Sequence, residues 1–359
     1  MSVVFKVLKE AALFKLRDKV SHLILHVTNI CNFRCHHCFV DFAPKPNDLT
    51  LDEIKQVAEV YEDLIWLDIG GGEPFIRTDL DQIVAMFRAQ AISIPTNGWF
   101  TEKTVSTLGR IESQMDLSRL LLTFSIDGLP ETHDEIRAQK GSFERLSTTY
   151  AQVRARFPNL SVKINTVLNQ RNLHEIIPLM RIVKEKLNPA FHSILFLRGS
   201  PINPGYKLPP TSEIRALEDE IFKLQQDYLY GHTGIVSDVH RHYQSIKREI
   251  AEQILEQKTQ VIPCLGGQAH HVVYANGDVA PCELLPAVDS LRRTPLRQII
   301  QGAAWQATVA DIKAKKCHCT HDCNMIENVL FNFRLYPALI IGRRVGINAG
   351  PRKGVEGPR

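Results

Sequence analysis

The sequence predicts an α/β fold, a partial (β/α)6 TIM-type barrel with a small C-terminal domain, and three observations carry that prediction. Short, almost wholly apolar runs recur between amphipathic stretches, the pattern of buried parallel strands alternating with the helices that cover them. Six such units fit between residues 21 and 200, enough for three quarters of a barrel with an open side. The cysteines fall into two groups, Cys31, Cys35 and Cys38, then Cys264, Cys282, Cys317, Cys319 and Cys323, so the organisation changes towards the end of the chain.

Taken in order, residues 1–20 form an N-terminal segment with a helix expected over 3–20. It sets Val4, Val7, Leu8, Ala11 and Phe14 to one side and Lys6, Lys9, Lys15, Arg17 and Lys19 elsewhere. Its expected role is to pack against the bottom of the barrel, with contact to a membrane surface as the alternative for a basic amphipathic helix. Over 21–200, strands are expected at Leu23–Val27, Ile65–Gly70, Ala91–Pro95, Leu120–Asp127, Val162–Leu168 and Ser193–Leu197. The helices between them are expected at Leu51–Leu64, Leu80–Ala89, Thr101–Glu112, Phe143–Arg156 and Leu173–Lys186. In parallel barrels, chemistry gathers at the carboxyl ends of the strands. Residues 201–260 read as a connector, a proline-rich loop followed by helices over Ser212–Tyr230 and Asp238–Gln257. Residues 261–330 form the small domain, opening on a hairpin with Asn276-Gly277 as its turn. Residues 331–359 read as a tail whose Gly- and Pro-rich end is solvated.

At 359 residues the chain has ample core for this plan. No apolar run approaches the roughly 18 residues needed to span a bilayer, and the first residues lack a signal-peptide pattern. The expected location is therefore the cytoplasm, where cysteines stay reduced and serve metals or catalysis. The net charge is +4, and residues 342–359, with Arg343, Arg344, Arg352, Lys353 and Arg359 against Glu356, also total +4. The body is thus neutral, which speaks against a broad nucleic-acid footprint.

The three early cysteines stand as Cys31-Asn32-Phe33-Arg34-Cys35-His36-His37-Cys38, a C-x3-C-x2-C spacing directly after the first strand. That matches neither a zinc ribbon nor a disulfide framework, although a zinc knuckle completed by His36 or His37 is the competing use of the same residues. A 4Fe-4S cluster takes four ligands and the local sequence offers three, which leaves one iron open. The triad resembles the signature of the radical S-adenosylmethionine (SAM) family. That resemblance implies that the open iron chelates the amino and carboxylate groups of SAM, and that an electron from the cluster cleaves it to a 5′-deoxyadenosyl radical.

Further segments extend the resemblance. Gly70-Gly71-Gly72-Glu73-Pro74 is similar to the family's GGE motif, so Gly71, Gly72 and Glu73 are expected to hold the SAM amino group; the competing reading is a tight βα turn. Thr96-Asn97-Gly98 is similar to the TNG segment beside the cofactor, or else an ordinary Asn-Gly turn. Ser125 and Asp127 are expected to reach the ribose hydroxyls, and Asn165 the carboxylate or ribose. Arg198 is expected to pair with the SAM carboxylate or an anionic substrate, structural roles being the alternative for these strand-end residues.

The second group has the spacing C-x12-G-x4-C up to Cys282, then C-x-C-x3-C. It resembles the auxiliary-cluster domains called SPASM, with two clusters, or twitch, with one. A full SPASM domain has seven cysteines, and five cannot complete two 4Fe-4S sites. The expectation is one auxiliary 4Fe-4S cluster held by Cys264, Cys282, Cys323 and one of Cys317 or Cys319, with the fifth thiol spare or a hydrogen-atom donor. A structural zinc site using His318 or His321 competes.

The function expected is a radical SAM enzyme that abstracts a hydrogen atom from a small-molecule, sugar-linked, lipid-linked or peptide substrate, supplied with electrons by a donor such as flavodoxin or ferredoxin. The rivals are a non-catalytic zinc or redox scaffold and a radical enzyme acting on nucleic acid. The first leaves Glu73 and the strand-four polar pair without a task; the second lacks a basic surface.

Overall fold

The computed structural model describes residue 14 and residues 20–40, 47–61, 63–228 and 235–342. Six parallel strands run in chain order: β1 (His22–Thr28), β2 (Leu64–Gly71), β3 (Ala89–Thr96), β4 (Leu120–Ser125), β5 (Ser161–Leu168) and β6 (Phe191–Phe196). β6 and β1 are not paired, so the barrel stays open, as expected of six units. Around it lie α1 (Leu51–Val60), α2 (Leu80–Met86), α3 (Thr101–Glu112), α4 (Pro130–Arg137), α5 (Ser142–Arg156) and α6 (Ile176–Ile182).

Local chemistry sets the ends of these elements. α1 starts at a capping box, Thr50 and Glu53 each satisfying the other's backbone N–H. It stops at Val60, short of the expected Leu64, because the Leu64 amide bonds to the Arg88 carbonyl and begins β2. β4 ends at Ser125, two residues early, because the Asp127 amide turns aside to His133 Nδ1 at 3.1 Å. The chain then enters α4, which sequence periodicity did not reveal, with Pro130 in its first turn. The helix expected over 173–186 is a 3-10 turn, α6 and a closing π turn.

Side chains alternate along β1. Leu23, Leu25 and Val27 join the main apolar core with Ile54 and Val57 of α1 and Ile83 of α2, while His22 and His26 face the polar interior and bond there to carboxylates.

The C-terminal region is not an appendage. β7 (His270–Val273) pairs in parallel with the free edge of β1, and β8 (Asp278–Ala280) and β9 (Asp289–Ser290) continue outward, giving one nine-stranded sheet. The connector helices α7 (Thr211–Gln225) and α8 (Ile235–Gln257) are followed past the sheet by α9 (Leu296–Gln301), α10 (Ala303–Lys313), α11 (Asp322–Leu330) and α12 (Tyr336–Ile341). Residues 331–341, expected as a tail, are packed: Leu335, Ala338 and Leu339 bury against Tyr243, Ile246 and Ile250 of α8. The N-terminal helix and the charged end lie outside the described residues except for Phe14, whose ring centroid is 5.4 Å from that of Phe331. No helix among the described residues is long and apolar enough to cross a membrane.

Candidate functional site

The loop after β1 carries Cys31, Cys35 and Cys38 to the carboxyl end of the strands. Backbone bonds pin it on two sides: His36 N donates to Ile136 O at the end of α4, and Ile202 N and Asn203 N donate to Cys38 O and His36 O. The three thiols interact electrostatically with one another. Burial pushes Cys31 up to about 12 and Cys35 up to about 11, and raises Cys38 as well. Burial and mutual repulsion thus keep the groups as thiols, and their deprotonation together calls for a compensating cation. Two histidines share the loop, and His37 Nε2 lies 3.7 Å from Asp127 Oδ2. Burial drives His37 down to about 4, against the pull of Asp127, and the His36 ring stacks 5.3 Å from Tyr206.

The glycine turn after β2 is pressed onto this loop. Gly71 sits at φ +105, and a Cβ there would lie 2.2 Å from the Thr28 carbonyl oxygen; at Gly72 it would lie 2.0 Å from that of Ile30. Only glycine permits the approach that lets Gly72 N and Glu73 N bond to Thr28 O and Ile30 O. Glu73 is buried and accepts from Phe75 N at 3.2 Å, Thr96 Oγ1 at 3.0 Å and Asn97 N at 2.8 Å. One lone-pair site on its Oε2 remains for another donor. Burial raises its carboxyl to about 7 despite these bonds. Asn97 Nδ2 donates to Asn32 Oδ1 at 2.9 Å, tying the Thr96-Asn97 turn to the cysteine loop.

Across the sheet, Ser125 and Asn165 are register partners, and Ser193, which the sequence did not single out, pairs with Asn165. Asn165 Oδ1, Ser193 Oγ and Arg198 Nε are buried without a hydrogen-bond partner among the described residues, and the Arg198 guanidinium lies 5.0 Å from the centroid of Phe39. Buried polar atoms left unpartnered are uncommon in folded proteins.

Asp127 does not belong to the row. It is fully buried, its Oδ2 is 2.5 Å from Arg137 Nη2, and its Oδ1 accepts from Val167 N at 2.8 Å. Burial alone would raise it, but Arg137, then His37 and His133, hold it below the usual carboxylate range. Arg137 Nη1 is in turn 3.8 Å from Cys35 Sγ. Asp127, expected at the ribose, is thus bound to Arg137, which α4 brings beside Cys35; the periodicity of residues 128–140 carried no signal for that helix.

The barrel interior is polar where α11 meets it. His22 bridges Glu327 Oε1 at 2.5 Å and Asp68 Oδ2 at 3.1 Å, and the two carboxylates overcome the effect of burial to raise it to about 10. His26 Nε2 bonds to Glu283 Oε1 at 2.7 Å, and the other oxygen of Glu283 bonds to His321.

Beyond α11 lies a cavity lined by Cys264, Cys282, Cys317 and Cys319. Asn324 Nδ2 reaches Cys282 Sγ at 3.3 Å, and Gln260 Nε2 reaches Cys317 O at 2.9 Å. Neither residue was foreseen. Cys323 is turned away on α11: it packs by Ile24, Val272 and Ala280 and bonds to Asp68. The expected ligand trio of Cys264, Cys282 and Cys323 is therefore not brought together, and Cys317 and Cys319 both are. His318 and His321 also line the cavity. Among the described residues no three His, Cys, Asp or Glu side chains converge as tightly as one metal ion requires, whereas an iron-sulfur cube, wider than one ion, takes thiolates set further apart.

The model of the radical SAM superfamily matches residues 25–183, and that of an iron-sulfur cluster-binding domain, SPASM, matches residues 264–324. Over 309 residues the chain is 28% identical to the AdoMet-dependent heme synthase of Methanosarcina barkeri, spanning 80% of this chain and 84% of that one. Over 188 residues it is 31% identical to the GTP 3′,8-cyclase of Staphylococcus aureus, spanning 48% and 53%. In fold it is similar to anSMEcpe solved with bound AdoMet, with a TM-score of 0.58 at 17% identity, over 90% of this chain and 98% of that one. The same protein has been solved with AdoMet and a peptide.

Proposed function

The chain belongs to the radical SAM superfamily and carries a SPASM-type domain, and from that premise we propose that it generates a substrate radical in the barrel interior, using SAM at Cys31, Cys35 and Cys38 and one auxiliary cluster at Cys264, Cys282, Cys317 and Cys319. The superfamily's cofactors are a 4Fe-4S cluster and SAM, which together supply a 5′-deoxyadenosyl radical able to take a hydrogen atom from an unactivated carbon. The observation that carries the reading is the close seating of the Gly70–Gly72 turn on the cysteine loop, with Glu73 at its end.

In this proposal the protein's own residues bind and orient. Gly71 and Gly72 bring backbone close to the cofactor, and the free lone pair of Glu73 accepts from its ammonium group. Thr96 and Asn97 hold that carboxylate in place. Ser125 and Asn165 face the ribose, and Arg198 faces a carboxylate, its Nε being buried and unpartnered among the described residues. Asp127 and Arg137 stiffen the loop from behind and direct positive charge at Cys35. The His22, Asp68 and Glu327 network ties α11 to the start of β1, and the substrate of this reading is a small molecule, a sugar- or lipid-linked compound or a peptide. A separate electron carrier supplies the reducing equivalent. In this reading the auxiliary cluster takes an electron from the product radical.

Anaerobic reconstitution with iron and sulfide tests this. The expected holoprotein holds about eight irons, and Cys35→Ala loses about half of them together with all formation of 5′-deoxyadenosine. About four irons in the wild type would remove the auxiliary cluster from the proposal. Undiminished SAM cleavage by Cys35→Ala would overturn the first site.

A further inference from the structure

Three neutral carboxamides are buried against the four-thiol cavity: Gln260, Asn324 and Asn328, exposed by only 6%, 1% and 5%. Burying an amide is tolerated where its hydrogens find acceptors. Asn324 Nδ2 lies 3.3 Å from Cys282 Sγ, and its Oδ1 has no partner among the described residues, so the bond to sulfur is what orients this amide. A thiolate accepts and cannot donate, which fixes the N–H end towards it. Asn328 is oriented from its other end. Its Oδ1 accepts from Leu265 N at 2.8 Å, which leaves Nδ2 to bond to Cys264. Gln260 differs, since its Nε2 donates to Ile312 O at 3.0 Å and to Cys317 O at 2.9 Å, with Cys317 Sγ standing off at 3.8 Å. It holds the backbone of Cys317, whereas the two asparagines address sulfur. Backbone amides complete the set: Gly266 N bonds to Cys264, Leu284 N to Cys282 and His321 N to Cys319. At the first triad, by contrast, Cys35 faces a cation, with Arg137 Nη1 at 3.8 Å.

We propose that Asn324 and Asn328 are positioning residues that set the reduction potential of the auxiliary cluster, holding it higher than burial alone would allow. Reduction adds one electron, and the added charge spreads onto the sulfurs. An N–H aimed at a sulfur gains more from that charge in the reduced state than in the oxidised one, so it favours uptake of the electron. Both donors are amides, which keep their protons in either state. They stand four residues apart on α11, so one face of one helix delivers both. The inference rests on the auxiliary cluster of the proposed function, and it names the side chains that fit that cluster to accept the electron which the product radical loses.

The test uses the full-length chain, reconstituted anaerobically in a Cys35→Ala background so that the second cluster alone is seen, titrated with dithionite and mediator dyes and followed by EPR. In Asn324→Leu, whose side chain is close in size to asparagine and donates nothing, the equilibrium constant for one-electron reduction should fall at least about tenfold, a downward shift of about 59 mV or more. The double variant N324L/N328L should fall further. With Cys35 restored, N324L should leave the potential of the first cluster where it was. A parent of about four irons whose iron-replete N324L variant keeps the parent's potential would overturn the inference alone, as would an equal shift at both clusters. If N324L costs iron, the parent decides by itself. Grown on asparagine carrying the heavy nitrogen isotope, its reduced cluster should show coupling to asparagine nitrogen in pulsed EPR, and absence of that coupling would overturn the inference. A parent without iron would instead strike the auxiliary cluster, and this role with it.

Discussion

Glu73 shows how one side chain can organise a site and remain available to a ligand. Three protein donors fix its orientation, and one lone-pair site stays open beside the glycine turn. Its carboxyl, raised by burial to about 7, binds its proton more tightly in the folded chain than in the unfolded one. Stability from this group is therefore present below its ordinary value near 4.5 and is lost as pH climbs through about 7. SAM binding should run the other way, strengthening from about pH 5.5 to 7.5 as the carboxylate that receives the ammonium forms. In Glu73→Gln this pH dependence should vanish and affinity fall by about tenfold or more, roughly 1.5 kcal/mol, as expected for a lost charged hydrogen bond. Calorimetric titration of SAM across that range checks both. Asp127 presents the opposite case: equally buried, it is held ionised by Arg137.

At the scale of elements, α11 divides two environments by its helical phase. Asn324 and Asn328, four residues apart, look into the four-thiol cavity, while Cys323 and Glu327, also four apart, look towards Asp68 and His22 in the barrel interior. The same turn of helix therefore presents amides to the four-thiol cavity and a thiol and a carboxylate to the barrel interior. Cys323→Ala is expected to keep all of about eight irons after reconstitution, whereas Cys319→Ala should lose about four. Iron and sulfide analysis of the two variants, with EPR of the reduced protein, distinguishes this from the ligand set expected from spacing. The glycine turn acts with similar economy, since the contacts at Gly71 and Gly72 meet backbone carbonyls that cannot swing away.

At the scale of the molecule, the sheet does not stop where the barrel does. β7 covers the open edge of β1, and its His271 Nδ1 lies 2.9 Å from the Tyr61 hydroxyl in a hydrogen bond, so the C-terminal region is built into the barrel wall. Removing residues 261–359 should therefore expose the β1 edge and the apolar faces of Ile24 and Trp66. The truncated chain is expected to aggregate instead of yielding a monomeric barrel, which size-exclusion chromatography after expression would show. Recovery of a soluble, SAM-cleaving fragment would contradict this account of the sheet.

The sequence by itself determined the alternation of strand and helix, the first thiol triad, the glycine turn with Glu73, and the existence of a second thiol group. Each is written in local periodicity or spacing, and short-range sterics suffice to read it. Only the tertiary structure decided that β7 lies against β1, that Arg137 claims Asp127, that Glu327 meets His22 from 305 residues away, and that Cys323 points into the barrel interior while Cys317 and Cys319 share the cavity. Those outcomes depend on strand register, helix phase and the burial of charge against a distant partner, none of which a local pattern contains.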